Sequence, residues 1–362
     1  MLPRPPVMAD VARLAGVSPK TVSRVVNNAP NVRDAVRARV NEAIAELGFR
    51  PNAAARALAS QRSRVIGIVS QGSSLYGPSE QLFGLERAAR EAGYSVEIVT
   101  TLDGLDGTGT DIASAVERLL DHGVDGIALA VPLAHADLDQ AVFRAVPCVA
   151  VDDPGPGRPR VRTVNGDQRA GARQAVEHLL ALGHRTVHHV SGPMPWSSAM
   201  AREEAWRAAL TAVRAIVPPP LRGDWSPRSG YAAGLALAAD PAVTAVFVAN
   251  DHMATGVLRA LWERGRRVPD DVSVVGFDDT PEAEFMIVPL TTVRQAFADV
   301  SRRAVTELVA AMSGETAPAP DNILLPVELV VRASSGPAPT LVHTPAVTAR
   351  RGRLDHQQQG DR

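Results

Sequence analysis

The stretch that decides the fold of the N-terminal region is DVARLAGVSPKTVSRVVN, residues 10–27. A first amphipathic segment stops at Gly16, and glycine can supply the backbone conformation of a tight turn. Ser18 then offers a hydroxyl at a helix N-cap, and Pro19 stands at the first helical position, where a missing N–H costs nothing. Valines follow at helical spacing. The pattern predicts two short helices joined by a glycine turn.

A third helix follows over about residues 34–47, with Val36, Val40, Ile44 and Leu47 on one face. Two short helices joined by a turn and followed by a third form the layout of a helix-turn-helix domain. The sequence therefore predicts an all-α helix-turn-helix head over residues 7–50.

Charge is distributed unevenly along the chain. Residues 1–64 contain 11 basic and 4 acidic side chains, a net of +7, whereas the remaining 298 residues carry a net of −8. The whole chain is nearly neutral at −1. A small basic module on an acidic body is typical of proteins in which one module binds nucleic acid.

The composition indicates an ordinary globular protein. The 362 residues, 45% hydrophobic and 21% charged, are enough for two or three domains with cores of their own. One cysteine, Cys148, excludes an intramolecular disulfide, a four-cysteine zinc site and a CxxC motif. Residues 1–10 contain no apolar run of signal-peptide length, and no run approaches a membrane span. We therefore expect a soluble cytoplasmic protein that has no membrane partner.

From about residue 64 the pattern changes to apolar runs that alternate with amphipathic stretches. The apolar runs cover residues 65–69, 96–99, 126–131, 148–151, 187–190, 243–248 and 272–276. Helical stretches between them include residues 81–92, 112–122, 173–182, 203–213 and 253–264. This alternation is typical of buried parallel strands in an α/β sheet. The units are too many for one small sheet, so we expect two lobes over residues 64–332, a linker at 51–63 and a disordered tail at 333–362.

The stretch 10–27 resembles the DNA-binding head of the lactose repressor–galactose repressor family of bacterial transcription regulators. The match continues through the third helix, and segments in the family's order follow at 182–184, 248–251, 275–280 and 289–293. The resemblance implies an α/β two-lobe body like that of a periplasmic binding protein, with a small sugar as effector in its cleft. It also implies a homodimer on pseudo-palindromic operator DNA.

The candidate DNA-binding side chains lie at and around the start of the second helix, the end of a recognition helix that reaches base edges in the major groove. They are Ser18, Pro19, Lys20, Thr21, Ser23, Arg24 and Asn27. Arg24 can pair bidentately with a guanine. The alternative is a solvated helix face with a capping serine. Val7 and Arg33 depart from the family pattern, which has capping hydroxyls there, and each change loses about 1 kcal/mol of capping.

Residues 51–58 resemble the family hinge, a short helix that folds on specific DNA. Leu58 stands where the family leucine wedges into the minor groove, and Ala55 is small enough for two hinge helices to approach each other. An apolar wedge unstacks a base step and bends the duplex. The alternative is a plain linker that contains one leucine.

The candidate effector-binding residues follow predicted strands or begin helices, where open α/β folds bind ligands. They are Gln71, Asp152, Arg202, Trp225, Asn250, Asp278 and Phe297. The resemblance assigns the central role to Arg202, while Trp225 and Phe297 offer apolar faces to a sugar ring. By the resemblance, Gln71 occupies the position of a serine that contacts the sugar, so the ligand need not be a β-galactoside. Whether Asp251 and Asp279 touch ligand or only cap structure stays open.

The residues give catalysis little support. The adjacent pairs 152–153 and 278–279 point to opposite faces of a strand, so neither forms an obvious carboxylate dyad. There is no GxSxG or Walker A pattern. We expect no enzymatic activity, cofactor or metal. The resulting interpretation is a sequence-specific DNA-binding transcription regulator, a repressor controlled by a sugar. The alternatives are a sugar-binding transport protein, which the basic head disfavours, and a sugar-modifying enzyme.

Overall fold

The structure is a computed structural model that describes residues 4–27, 29–50, 62–101, 110–131, 145–151, 161–194, 196–315 and 322–339. The head contains helices α1 (Met8–Ala15), α2 (Pro19–Val26) and α3 (Asp34–Leu47). Val11, Val22 and Val40 lie in its apolar core, where they are buried. The three predicted helices are therefore present, and they share one small core.

The ends of the head helices follow the sequence closely. Gly16 has a φ of 63° in the left-handed region, which an L side chain rarely adopts. Ser18 accepts a hydrogen bond from the Thr21 N–H at 3.2 Å and so caps α2. Val7 has no side-chain acceptor, but the Asp10 carboxylate accepts from the Val7 N–H at 3.0 Å. One of the two hydrogen bonds of a capping box is therefore present at the start of α1.

The chain divides into two compact units, each described here by itself. The first unit comprises the described parts of 1–170, 193–201 and 295–327, and the second those of 171–192, 202–294 and 328–362. The body thus contains two sheets, as predicted, but the chain passes between the units more than once.

The first unit holds a six-stranded parallel sheet in the order β11-β5-β4-β3-β1-β2. Its strands are β1 (Val65–Gln71), β2 (Ser95–Thr101), β3 (Gly126–Ala130), β4 (Cys148–Ala150), β5 (Arg162–Gly166) and β11 (Asn322–Leu325). Helices α4 (Tyr76–Glu91), α5 (Thr110–Asp121) and α10 (Phe297–Met312) pack against it. Two separate apolar clusters, one with α5 and one with α4 and α10, show that both faces of the sheet are covered.

The second unit holds a six-stranded sheet in the order β12-β10-β9-β8-β6-β7, parallel except for β12. Its strands are β6 (His188–Ser191), β7 (Leu221–Arg222), β8 (Ala245–Val248), β9 (Ser273–Asp278), β10 (Thr291–Arg294) and β12 (Glu328–Val330). Its helices are α6 (Gln168–Ala181, from Gly171 on), α7 (Ser197–Ala212, from Arg202 on), α8 (Pro227–Ala239) and α9 (Asp251–Glu263). The carboxyl ends of β6, β7, β8 and β9 lie side by side.

The predicted disordered tail is wrong for residues 333–339. Ser334 is fully buried, its N–H donates to Pro289 O at 3.0 Å, and its carbonyl accepts from the Val274 N–H at 2.8 Å. Ala338 N–H donates to Leu182 O at 2.9 Å. Although this segment contains prolines, backbone groups of its other residues form hydrogen bonds with backbone groups of the second unit. The body therefore extends beyond residue 332. Residues 340–362 and most of the linker, 51–61, lie outside the described residues.

Candidate functional site

The exposed face of α2 presents the predicted DNA-binding side chains. Pro19, Lys20, Arg24 and Asn27 are exposed, and Thr21 and Ser23 are half-buried. Valines on the opposite face are buried in the core of the head, which fixes which side of the helix faces outward. The two cations therefore stand on a rigid, outward face, as a recognition helix requires.

The polar residues of α2 also contact one another. The hydroxyls of Ser18 and Thr21 lie 3.0 Å apart, and Asn27 Nδ2 donates to Ser23 Oγ at 3.4 Å. Ser18 thus has a structural task as N-cap, which the alternative of a capping serine also predicts. Ala55 and Leu58 lie outside the described residues, so the hinge stays a prediction.

Arg202 is the centre of the second unit's polar group. It is 4% exposed, and its Nη1 donates to Ala249 O. Its Nη2 lies 3.7 Å from Asp278 Oδ1. The guanidinium also lies 3.7 Å above the ring centroid of Phe277, close enough for a cation–π contact. A buried cation is therefore held by a carbonyl, a carboxylate and an aromatic face.

Trp225 also lies near this guanidinium. Its ring centroid is 5.6 Å from the Arg202 Cζ, and the indole is 4% exposed. The ring fills the space above Gly192, where any Cβ would lie 2.3–2.7 Å from ring carbons. The Trp225 backbone has a φ of 73°, in the left-handed region. Its carbonyl accepts from Asn250 Nδ2 at 3.2 Å.

Asn250 and Asp278 complete this group, hereafter the Arg202 group, which consists of Arg202, Trp225, Asn250 and Asp278. Asn250 Oδ1 accepts from the Met253 N–H at 2.9 Å and so caps α9. Asp278, the last residue of β9, has a φ of 114°. The structure brings these four predicted residues together at the carboxyl ends of neighbouring strands.

The two aspartates whose role the sequence leaves open make structural contacts. Asp251 is fully buried and accepts from Thr292 Oγ1 at 2.6 Å and from the Thr280 N–H at 2.9 Å. Burial and then the negative charge of Asp278 raise the pKa of Asp251 to about 8. Asp279 pairs with Arg294 at 2.6 Å and with a second arginine, Arg332, at 2.7 Å. Both side chains fix the turn that follows β9.

Two further predicted residues belong to the first unit. Gln71 ends β1 and is half-buried, and among the described residues its Oε1 finds no hydrogen-bond partner. Phe297 begins α10, is 8% exposed and contacts Tyr76 edge to face, with ring centroids 5.8 Å apart. Asp152 lies outside the described residues.

The sequence reasoning missed Phe277 and Tyr76. Phe277 lies inside an apolar strand, where a core role is the ordinary expectation, and only the motif Gly-Phe-Asp-Asp before the turn marked it. Tyr76 begins α4, five residues before the helix predicted there. An aromatic residue beside Gly77 at a helix start was the available signal.

Other side chains that could act as nucleophiles or metal ligands have structural roles. Burial raises the pKa of the Cys148 thiol to about 12, so it is a poor nucleophile. His189 stacks between Trp206 and Phe247, and burial lowers its pKa to about 4. The described ranges contain no group of three or more His, Cys, Asp or Glu side chains arranged to hold a metal ion. Within the same ranges, no helix combines the length and apolar character needed to span a bilayer.

The helical head and the two-sheet body together define a DNA-binding regulator with a body like that of a periplasmic binding protein. Residues 7–52 match the family described as bacterial regulatory proteins, lacI family, and residues 176–335 match the periplasmic binding protein-like domain. The chain is 36% identical over 335 residues to the lactose operon repressor of Escherichia coli K12, covering 91% of this chain and 90% of that protein. The chain therefore belongs to the lacI family of bacterial regulatory proteins.

Solved structures agree with this assignment. The lac repressor dimer bound to operator and the anti-inducer ONPF has a TM-score of 0.82 at 35% identity, covering 92% of this chain and 100% of that one. The transcriptional regulator CelR in complex with cellobiose has a TM-score of 0.66 at 32% identity, covering 91% and 100%. The protein is a DNA-binding transcription regulator, and the transport alternative is not favoured. Its relatives are transcription regulators rather than enzymes.

Proposed function

We propose that this chain is a repressor that binds a pseudo-palindromic operator as a homodimer and changes its operator affinity when a sugar binds its body. The observation that carries the proposal is that one chain holds an exposed basic recognition helix and, in a separate unit, the buried Arg202 group. The first suits DNA and the second suits a neutral polyhydroxylated ligand. Because the proposed target is the bacterial chromosome, we place the protein in the cytoplasm.

At the operator, Arg24 pairs with a guanine in each half-site and Lys20 contacts a neighbouring base or phosphate. Thr21, Ser23 and Asn27 contact phosphates or sugars near the groove edge. Ala55 and Leu58 act at the centre of the site as the hinge. The roles of the α2 residues rest on its exposed face and on the family assignment, whereas the hinge roles rest on the resemblance of residues 51–58 to the family hinge.

At the effector site, the Arg202 guanidinium offers several N–H donors in a fixed fork, and Asp278 and Asn250 offer acceptors. Vicinal hydroxyls present donors and acceptors at matching spacing. Trp225 offers an apolar ring against which the C–H face of a pyranose packs. Gln71, Asp152 and Phe297 are proposed as further contacts. The names of the lactose operon repressor and of the CelR–cellobiose complex also favour a sugar.

The sugar controls DNA binding only if it binds two states of the protein with different affinities, because an effector shifts an equilibrium by no more than that difference. We propose that the two states differ in whether the hinge is competent to bind DNA. We further propose that the protein releases the sugar chemically unchanged.

The DNA half of the proposal is tested by selecting bound duplexes from a random library with the full chain. The selected site should be a pseudo-palindrome, and affinity should fall with salt by a log–log slope of roughly −0.9 per neutralised phosphate. Arg24→Ala should cost about 1–3 kcal/mol and relax one position in each half-site. Arg169→Ala, which removes an arginine of the body, is the control. Equal preference for all duplexes would contradict the proposal.

The sugar half is tested by a thermal-shift screen of mono- and disaccharides, followed by operator binding with and without the best one. At least one sugar should raise the melting temperature and change operator affinity, and it should be recovered intact after incubation. A sugar that binds without any effect on operator affinity would contradict the control mechanism. A chemically altered sugar would favour the enzyme alternative.

A further inference from the structure

An ion pair between Glu203 and Arg222 lies beside the Arg202 group, and neither residue was among the predicted site residues. Both guanidinium Nη atoms of Arg222 contact the Glu203 carboxylate, with Nη2 3.2 Å from Oε1. Arg222 Nη1 also donates to Ser191 Oγ at 3.0 Å. Glu203 is 8% exposed, while the Arg222 side chain keeps 43% of its surface. Two contacts to one carboxylate fix the relative position of the partners better than one does.

The pair joins the two elements that carry the cation and the indole of the proposed site. Glu203 directly follows Arg202 on α7, and Arg222 ends β7, three residues before Trp225. Consecutive residues of a helix point about 100° apart. Glu203 therefore reaches β7 while Arg202 reaches the ends of β8 and β9. One ion pair thus links the backbone positions of both ligand-facing side chains.

The segment that carries Trp225 needs such support. Strand β7 has only two residues, which pair with Val190 and Ser191. The Trp225 backbone lies in the left-handed region, which is unfavourable for an L side chain and persists only where the surroundings hold it. The side-chain bonds from Arg222 to α7 and to Ser191 supply part of that constraint.

The charge state required for this pair is present at neutral pH. Burial raises the pKa of Glu203, but the hydrogen bonds and charge of Arg222, together with hydrogen bonds from Ser191 and Arg207, outweigh this effect, and the net shift is downward. Arg207, one turn along α7, contacts the same carboxylate with its Nη2 3.2 Å from Oε1, although it has no link to β7. Arg222 therefore connects Glu203 to β7, whereas Arg207 does not.

We propose that Glu203 and Arg222 are positioning residues that fix Arg202 and Trp225 relative to each other and thereby set the affinity for the effector. The inference rests on the proposed function, because it assumes that the Arg202 group binds the effector. It assigns no ligand contact to either residue. The pair acts through the placement of Trp225.

The test compares Glu203→Gln and Arg222→Gln with Arg207→Gln, which removes an arginine from the same carboxylate without loosening β7. Binding of lactose, cellobiose and ribose is measured by calorimetry, and hydrogen exchange of residues 221–231 is measured without sugar. The first two variants should exchange faster in this segment and bind the sugar preferred by the wild type roughly 5- to 30-fold more weakly. Arg207→Gln should match the wild type in both measurements.

Two further variants separate positioning from a general loss of structure. In a Trp225→Ala background, Arg222→Gln should cause no additional loss of affinity, because the residue through which it acts is gone. The conservative variant Arg222→Lys, which keeps the charge that pairs with Glu203, should recover part of the affinity that Arg222→Gln loses and slow the exchange again. A full additional loss in the first case, or no recovery in the second, would overturn the proposal.

The outcomes also separate this proposal from the proposed function. If Arg202→Ala loses sugar binding while Glu203→Gln and Arg222→Gln bind and exchange like the wild type, the positioning role is wrong and the effector site stands. If Arg202→Ala binds sugar like the wild type, the effector site is wrong. The exchange of residues 221–231 still decides whether the pair holds the segment.

Discussion

Arg202 should be the residue whose loss weakens effector binding most. Arg202→Ala removes the N–H fork from the sugar hydroxyls and leaves Asp278 without its cation in a buried site, which should cost about 2–4 kcal/mol, or some 30- to 1000-fold in affinity. Trp225→Ala should cost about 1–2 kcal/mol, since it removes ring contact without stranding a polar group. Calorimetry with the best sugar of the screen measures both. Operator affinity without sugar is the control and should stay near the wild-type value.

Asp251 should make stability depend on pH. The pKa of Asp251 is about 8 in the folded protein, against 3.8 for an aspartate in an unfolded chain. Because the folded state keeps a proton that the unfolded state has lost, this contribution to stability is complete below about pH 4 and is lost as the pH rises through 8. Asp251→Asn cannot titrate, so its melting temperature relative to the wild type should rise between pH 5 and pH 8. If the difference in melting temperature between Asp251→Asn and the wild type stays constant across this pH range, Asp251 is ionised in the folded protein throughout it.

Residue types predicted the members of the Arg202 group but not how each is engaged. Asn250 has the amide that a sugar site needs, and the structure also uses it to cap α9 and to hold the Trp225 carbonyl. Asp251 fits a ligand contact equally well in sequence, yet two donors from the turn after β9 occupy it. One side chain can serve either purpose, so only the geometry separates the two roles.

At the scale of elements, apolar continuity decided which strands could be predicted. Strands such as β8 and β9 are buried throughout and coincide with continuous apolar runs, and the sequence located them within a few residues. Strands β5, β7, β10, β11 and β12 were missed because they are short or mix in polar residues, such as Arg162 and Asn165 in β5. A threonine-rich strand such as β10 is buried by its neighbours rather than by its own hydrophobicity.

The hinge can be tested as an element although it lies outside the described residues. Leu58→Ala should reduce DNA bending and specific affinity, because an alanine is too small to wedge a base step open, and non-specific binding should stay nearly intact. Leu14→Ala is a matched control, since Leu14 is an exposed leucine of α1 in the head. A gel-phasing experiment measures the bend. An unchanged bend angle for Leu58→Ala would contradict the wedge.

At the scale of the whole molecule, the sequence predicted two lobes but not how the chain builds them. Strand β11 pairs with β5, although about 160 residues separate Asn322 from its partner Thr163. Strand β12 then adds antiparallel to β10 in the second unit. Periodicity along a sequence carries no information about such distant pairings. The course of residues 333–339 was missed for the same reason, because its partners, including Leu182 and Val274, lie far back in the chain.

The assembly expected of this protein depends on the segment after β12. A further association of dimers through this segment would need an apolar heptad helix. Residues 333–339 contain no helix in the structure, and Pro337, Pro339 and Pro345 exclude a continuous helix through the first part of the segment. Residues 350–357 are almost entirely polar and lack the spacing of a heptad seam.

We therefore expect a dimer and no tetramer. Sedimentation equilibrium of the full chain should give the mass of two chains over the micromolar range, and a variant that lacks residues 340–362 should give the same state, because nothing in that segment is expected to join dimers. The variant should also keep the melting temperature of the second unit, since the bonds made by residues 334–338 are retained. A tetramer in the full chain that reverts to a dimer on truncation would show that the segment assembles despite its prolines.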